Sequence, residues 1–172
     1  MPADLFAAQF AAAQPPDLGS LRRIPYHIGF AARRFERGIE VLTDLFGFEW
    51  EPPSRAEALE FATPDGPVQV EATTAHSRGG PMRAEVCTGT FWPTNADVEL
   101  HHFAYWSADV GTDAADLQGR GWTVEACALD SAGRPTQFAY LTKAGHPRIE
   151  LVALSRLPAY RNRVGADVPT IA

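Results

Sequence analysis

Lysine is almost absent: of fifteen basic residues in this 172-residue chain, only Lys143 is not arginine. We read that as a coding bias of the source genome and attach no function to it. Basic charge as a whole is also short. Fifteen Lys and Arg face 21 Asp and Glu, for a formal net charge of -6. That balance leaves no basic face for nucleic acid or an anionic membrane. Cysteine is scarce too. Cys87 and Cys127 are too few for a disulfide scaffold, and the expectation is two reduced thiols in a cytoplasmic protein. No apolar run approaches the roughly 20 residues that span a bilayer. The Ala- and Phe-rich start, "MPADLFAAQFAAAQPPDLGS", lacks a basic n-region, and Asp4 and Gln9 interrupt it, so it does not read as a signal peptide. It predicts an amphipathic helix over about residues 3–13, stopped by Pro15-Pro16.

What the chain does have is a well-supplied core, 45% hydrophobic, and an internal echo. "YHIGFAARRFERGIEVLTDLFGFEWE" begins at Tyr26 and "HHFAYWSADVGTDAADLQGRGWTVEA" at His101. Each opens as a short apolar strand with His in second place, His27 and His102. Each then turns into a helical stretch: Phe35, Ile39, Leu42 and Phe46 keep helical spacing in one, and Val110, Ala114 and Leu117 in the other. A glycine closes each helix, Gly47 or Gly121, where a C-cap favours it. Strands follow. In the first half they read "FEWE", "VQVEATTAHS", a turn "RGGP" and "MRAEVCTG"; in the second, "TVEACALD", "QFAYLT" and "RIELVALS". Glu85 and Glu150 occupy matching places in the last strand of each half. The pattern predicts an α+β fold of two βαβββ modules, spanning 24–97 and 98–157, with an N-terminal helix and linker (1–23) and a C-terminal tail (158–172). The Pro, Gly and Arg content of that tail suggests irregular chain that covers a site or wraps a partner.

The duplication, with "YHIGF", "HHFAYWSADV" before "LQGRGW", and "QFAYLTKAGHPRIELV", resembles the vicinal oxygen chelate superfamily over about residues 24 to 155. That superfamily includes glyoxalase I, methylmalonyl-CoA epimerase, extradiol dioxygenases and bleomycin-resistance proteins. The resemblance implies that the modules pair into a curved, open mixed sheet cupping a divalent metal. It also implies ligands at His27, Glu85, His102 and Glu150, with a metal-bound carboxylate, Glu150 or Glu85, as the catalytic base. No residue matches the separate catalytic Glu of the epimerases.

Two imidazoles and two carboxylates suit a cation of intermediate hardness: Zn, Mn, Fe(II), Co or Ni. Strand parity puts His102, Ala104 and Trp106 on one face and His101, Phe103 and Tyr105 on the other, so neighbouring His101 and His102 do not share a site. His27 shares its face with Gly29 and Ala31, and Glu85 with Arg83 and Cys87. Small neighbours leave room for a metal and a bound molecule. Glu71 replaces Glu85 if the hairpin register differs. His76 and His146 fall at predicted turns and are expected to be exposed. The leading expectation is a metal-dependent lyase, isomerase or epimerase acting on a small oxygenated molecule, as a homodimer built on an open sheet edge. A metal-free, drug-sequestering protein of the same fold, stacking its ligand on Trp50, Trp92, Trp106 and Trp122, is the alternative. An Fe(II) ring-cleaving dioxygenase ranks below both.

Overall fold

The computed structural model describes residues 24–78 and 83–164. The predicted N-terminal helix and most of the "RGGP" turn lie outside the described residues. Five strands and a helix come first: β1 (Ile24–Ala31), α1 (Phe35–Phe46), β2 (Glu49–Trp50), β3 (Ser54–Thr63), β4 (Gly66–Arg78) and β5 (Arg83–Gly89). The second half runs β6 (Glu99–Ser107), α2 (Val110–Gly119), β7 (Thr123–Leu129), β8 (Pro135–Thr142) and β9 (Ile149–Ala153). A 3₁₀ turn (Leu154–Arg156) then leads into α3 (Leu157–Val164).

Both halves pair alike. β1 runs parallel to β5 and β6 parallel to β9, while β1 and β6 meet antiparallel at the centre. The antiparallel hairpins β3–β4 and β7–β8 continue on either side, and β4 and β8 lie against β5 and β9. The result is a single curled mixed sheet, joined back on itself between β3 and β7 by one residue pair, Ala62 with Cys127. The predicted cup is present, and its open seam is reduced to that one bridge.

Two strand expectations need correcting. "FEWE" supplies only the two-residue β2, and the stretch after Pro53, not assigned to a strand from sequence, forms the ten-residue β3. Ser54–Thr63 carries few β-branched residues, but "TPDG" turns it tightly onto β4, where Thr63 Oγ1 donates to Gly66 O at 2.7 Å. The tail is not irregular at its start either. Leu157–Val164 is helical, and Pro158 is tolerated there because a first-turn residue has no N–H partner to lose. Residues 165–172 lie outside the described residues.

The helices cover the outside of the sheet. Leu42, Leu117, Leu141, Ile149 and Leu151 are wholly buried between helices and strands, each contributing roughly 1.5–3 kcal/mol on removal from water. Gly47 adopts the left-handed conformation (φ 70°) and its N–H returns to Thr43 O. Gly121 (φ 83°) closes α2: its N–H donates to Gln118 O and that of Trp122 to Leu117 O. Phe46 departs from the expected apolar stripe, being 48% exposed, with its ring 5.4 Å from that of Phe48 and tilted to it. Trp50 and Trp122 pack with the helices and not in the cup. Among the described residues no helix is long and apolar enough to cross a membrane.

Candidate metal centre

Four neighbouring strands, in the order β9, β6, β1, β5, carry Glu150, His102, His27 and Glu85. Four strands laid flat would spread these residues over about 14 Å. The curl of the sheet instead gathers one donor atom from each to within 4.8 Å of every other. All four residues are buried, His102 completely.

Two compensating bulges aim the histidines. Between Pro25 and Ile28 β1 carries one residue more than β6, and between Gly29 and Phe30 the surplus lies on β6, at His101. A bulge breaks strict alternation and twists the strand. Tyr26 therefore joins His27 at the cup, with ring centroids 4.3 Å apart. On β6, His101 is not turned away from its neighbour: the two Nδ1 atoms lie 3.0 Å apart. Burial first, then the charges of His102 and Arg148, lowers the His101 pKa to about 2, so this ring is neutral. With Nε2 of His102 bound to an ion at the centre, its Nδ1 would carry the proton and donate to His101, fixing tautomer and orientation. The small residue beside His27 has a particular use. Gly29 pairs with His102, whose imidazole occupies the space a Cβ would fill.

Nε2 of His27 lies 2.9 Å from Nε2 of His102, 3.2 Å from Glu85 Oε2 and 3.3 Å from Glu150 Oε2. His102 Nε2 stands 3.3 Å from Glu150 Oε2 and 3.7 Å from Glu85 Oε2. Burial opposes charge on both carboxyls, but the imidazoles outweigh it: Glu150 is held down to about 2, and Glu85 is also lowered. Burial likewise disfavours the charged His27, yet the Glu85 charge and the contacts to Glu150 and Glu85 raise its pKa to about 9. The cluster thus calls for positive charge at the point where the four donors meet. A divalent ion with ligands at 2.0–2.2 Å places adjacent donors about 3.0–3.6 Å apart, close to these separations. Glu150 Oε2 lies equally close, 3.3 Å, to Nε2 of both histidines, as expected of atoms converging on a shared point. The residues fit a metal ion.

Glu71 is exposed on β4, away from this cluster; Glu85 is the first-half carboxylate beside the histidines. Cys87 donates its S–H to Glu85 Oε2 at 3.1 Å, and burial, reinforced by the Glu85 charge, pushes its pKa well up, so it stays a thiol. His146 is exposed in its turn, as expected. His76 is not. It is buried within β4, opposite Glu85, because that strand continues to Arg78. Its Nδ1 lies 2.9 Å from Glu51 Oε1 and its Nε2 3.4 Å from Glu85 Oε1. The alternation Ala72, Thr74, His76 was the available signal for this placement; nothing local marks Glu51, a glutamate before Pro52-Pro53.

The centre opens into a cup of about 690 Å³, walled by Phe61, Trp92, Phe138 and Tyr140 on one side and Tyr26 and Tyr160 on another. Tyr160 brings α3 against the site, its ring 4.5 Å from Tyr26 and 5.1 Å from His76. The tail thus covers one side of the cup.

Similar folds are known. A methylmalonyl-CoA epimerase solved with methylmalonyl-CoA and ammonium superposes with a TM-score of 0.51 at 22% identity, over 88% of this chain and all of that one. A Streptomyces coelicolor methylmalonyl-CoA epimerase variant, bound to 2-nitronate-propionyl-CoA, gives 0.50 at 23% identity, covering 78% of this chain and 98% of its own. A hypothetical protein from Bacillus halodurans gives 0.53 at 11% identity, covering 77% and 94%. At these identities the likeness is one of fold. No curated protein sequence matches significantly. The family model that does match, over residues 26–140, places the chain in the glyoxalase/bleomycin resistance protein/dioxygenase superfamily, to which it belongs.

Proposed function

We propose that the protein is a metalloenzyme of the vicinal oxygen chelate type, performing lyase, isomerase or epimerase chemistry on a small oxygenated molecule. The observation that carries this reading is the convergence of four buried donors from four adjacent strands. His27, Glu85, His102 and Glu150 would hold a divalent ion, of the group Zn, Mn, Fe(II), Co or Ni. When bound, such an ion supplies Lewis-acid polarisation of paired substrate oxygens.

The chain's own residues do the rest. His27 and His102 would supply nitrogen donors, His27 shedding its proton as the ion binds, and the aromatic wall of Phe61, Phe138 and Tyr140 keeps water away from a bound molecule. A carboxylate must take a proton from the substrate and return it. Glu85 is tied at Oε2 to Cys87 and faces His76 with Oε1, while Glu150 faces both histidines and the side chain of Tyr140. Either carboxylate, Glu150 or Glu85, is the candidate base.

The test is elemental analysis of protein purified without chelator or nickel resin, paired with His102→Ala. One divalent ion per chain, lost in the variant, is the expected result. Metal-free wild type that still binds a planar ligand as tightly as His102→Ala does would overturn the reading in favour of the sequestering alternative.

A further inference from the structure

Beyond the four donors lies a second buried polar group. Glu51, only 4% exposed, follows the two-residue β2. Its N–H donates to His76 O at 2.9 Å, continuing the β2–β4 ladder from Glu49 with Arg78 and Trp50 with Ser77. Its Oε1 accepts from the His76 backbone N–H at 3.1 Å and from Nδ1–H at 2.9 Å. Three hydrogen bonds thus clamp one histidine to one glutamate. Because a carboxylate only accepts, Nδ1 carries a proton toward Glu51, and Nε2 donates to Glu85 from the doubly protonated ring.

Removing such a pair from water is expensive, and an apolar pair of similar volume would join β2 to β4 at least as well. The clamp therefore asks for a purpose beyond folding, and its geometry supplies one. Nε2 of His76 lies between two oxygens, at ion-pair distance from Glu85 Oε1 (3.4 Å) and 3.4 Å from the Tyr26 hydroxyl, while Oε2 of the same Glu85 faces both ligand histidines. Tyr26 and Tyr160 close on the imidazole and leave it little freedom: centroids lie 5.7 Å away, stacked, and 5.1 Å away, edge-on.

We propose that His76, clamped by Glu51, is a positioning residue of the metal centre: it holds Glu85 with a single oxygen toward the ion and so sets how tightly the ion is bound. This inference rests on the metal-centre reading above. Partners outside the ligand shell commonly govern affinity in this way, and their loss costs about 10- to 100-fold.

The test uses zinc as the probe, in competition with a chromophoric chelator, on the full chain freed of metal. Wild type, His76→Ala, His76→Gln and Glu51→Gln are compared, with circular dichroism to check folding. His76→Ala is expected to weaken zinc binding about 10- to 100-fold. Glu51→Gln, which leaves the ring but loosens its clamp, should weaken it less. His76→Gln, a neutral donor reaching in the same direction, should recover part of the loss. Cobalt in the same proteins should show a shifted visible absorption in His76→Ala, as a reoriented carboxylate changes the ligand field. Zinc affinity within twofold of wild type in folded His76→Ala would sink the proposal; should that variant not fold, the same result in Glu51→Gln would. Wild type that binds no zinc would instead remove the metal centre itself.

Discussion

Gly29→Ala is a one-carbon change that should empty the centre. Gly29 has no positive φ, so alanine is compatible with the backbone and the cost is one of space alone. An added Cβ would overlap Cε1, Nδ1 and Nε2 of the His102 imidazole. Carbon contacts are comfortable at about 3.5–4.0 Å, so the ring must retreat by more than about 1 Å or β1 must part from β6. Neither is easy. The ring is fully buried and pinned between Nε2 of His27 at 2.9 Å and Nδ1 of His101 at 3.0 Å. Metal ligands tolerate displacements of only about 0.2 Å, so His102 would leave the donor set. Zinc affinity should fall by at least about 100-fold, more than for an outer partner. Overpacking should also lower stability by about 1–3 kcal/mol, which for a chain of this size lowers Tm by about 2–10 °C. Calorimetric titration with zinc and thermal unfolding of the metal-free protein read the two effects separately. A folded Gly29→Ala protein with unchanged Tm and zinc affinity within threefold of wild type would refute both the placement of His102 and its role.

Glu85→Gln keeps the side-chain shape but removes a charge from the cluster, and should weaken zinc binding at least tenfold; exposed Glu71→Gln should leave it unchanged, and the reverse ranking would mean the β4–β5 register is wrong. Leu42→Ala removes a fully buried side chain beneath α1 and should cost about 2–5 kcal/mol in urea unfolding. It lies on the far side of the sheet from the centre, so an accompanying loss of zinc affinity would show that the two are not separable.

The fold was legible where periodicity was strong. The α2 stripe of Val110, Ala114 and Leu117 is buried, and both glycines that end helices take the left-handed conformation. On β6 the alternation held, with Phe103 and Tyr105 under the helices and Ala104 and Trp106 with Tyr26. The reading failed where packing overrides propensity. Ser54–Thr63 looks too polar for a strand, and six of its ten residues are exposed, but its backbone is satisfied by β4 along most of its length. Phe46 has helical spacing yet is about half exposed, since spacing predicts a face and not how far the neighbouring layer extends.

The four residues that the resemblance implied do meet in the structure, but how they are brought together was not legible. A period of two places His101 and His102 on opposite faces, and on a regular strand that argument would stand. It fails locally because β6 carries its surplus residue at His101, and β1 carries its own beside Tyr26 and His27. Each histidine strand is thus irregular next to its ligand, and the two irregularities cancel, returning the register to its original value on either side. Composition gives no sign of this, for neither extra residue is a glycine. The consequence is functional. Without the bulge on β6, His101 could not stand behind His102 and hold its tautomer. Without the one on β1, Tyr26 would not reach the ring of His76. The outer supports of the centre depend on broken alternation, whereas the four donors were named by the resemblance, which carries no information on what orients them.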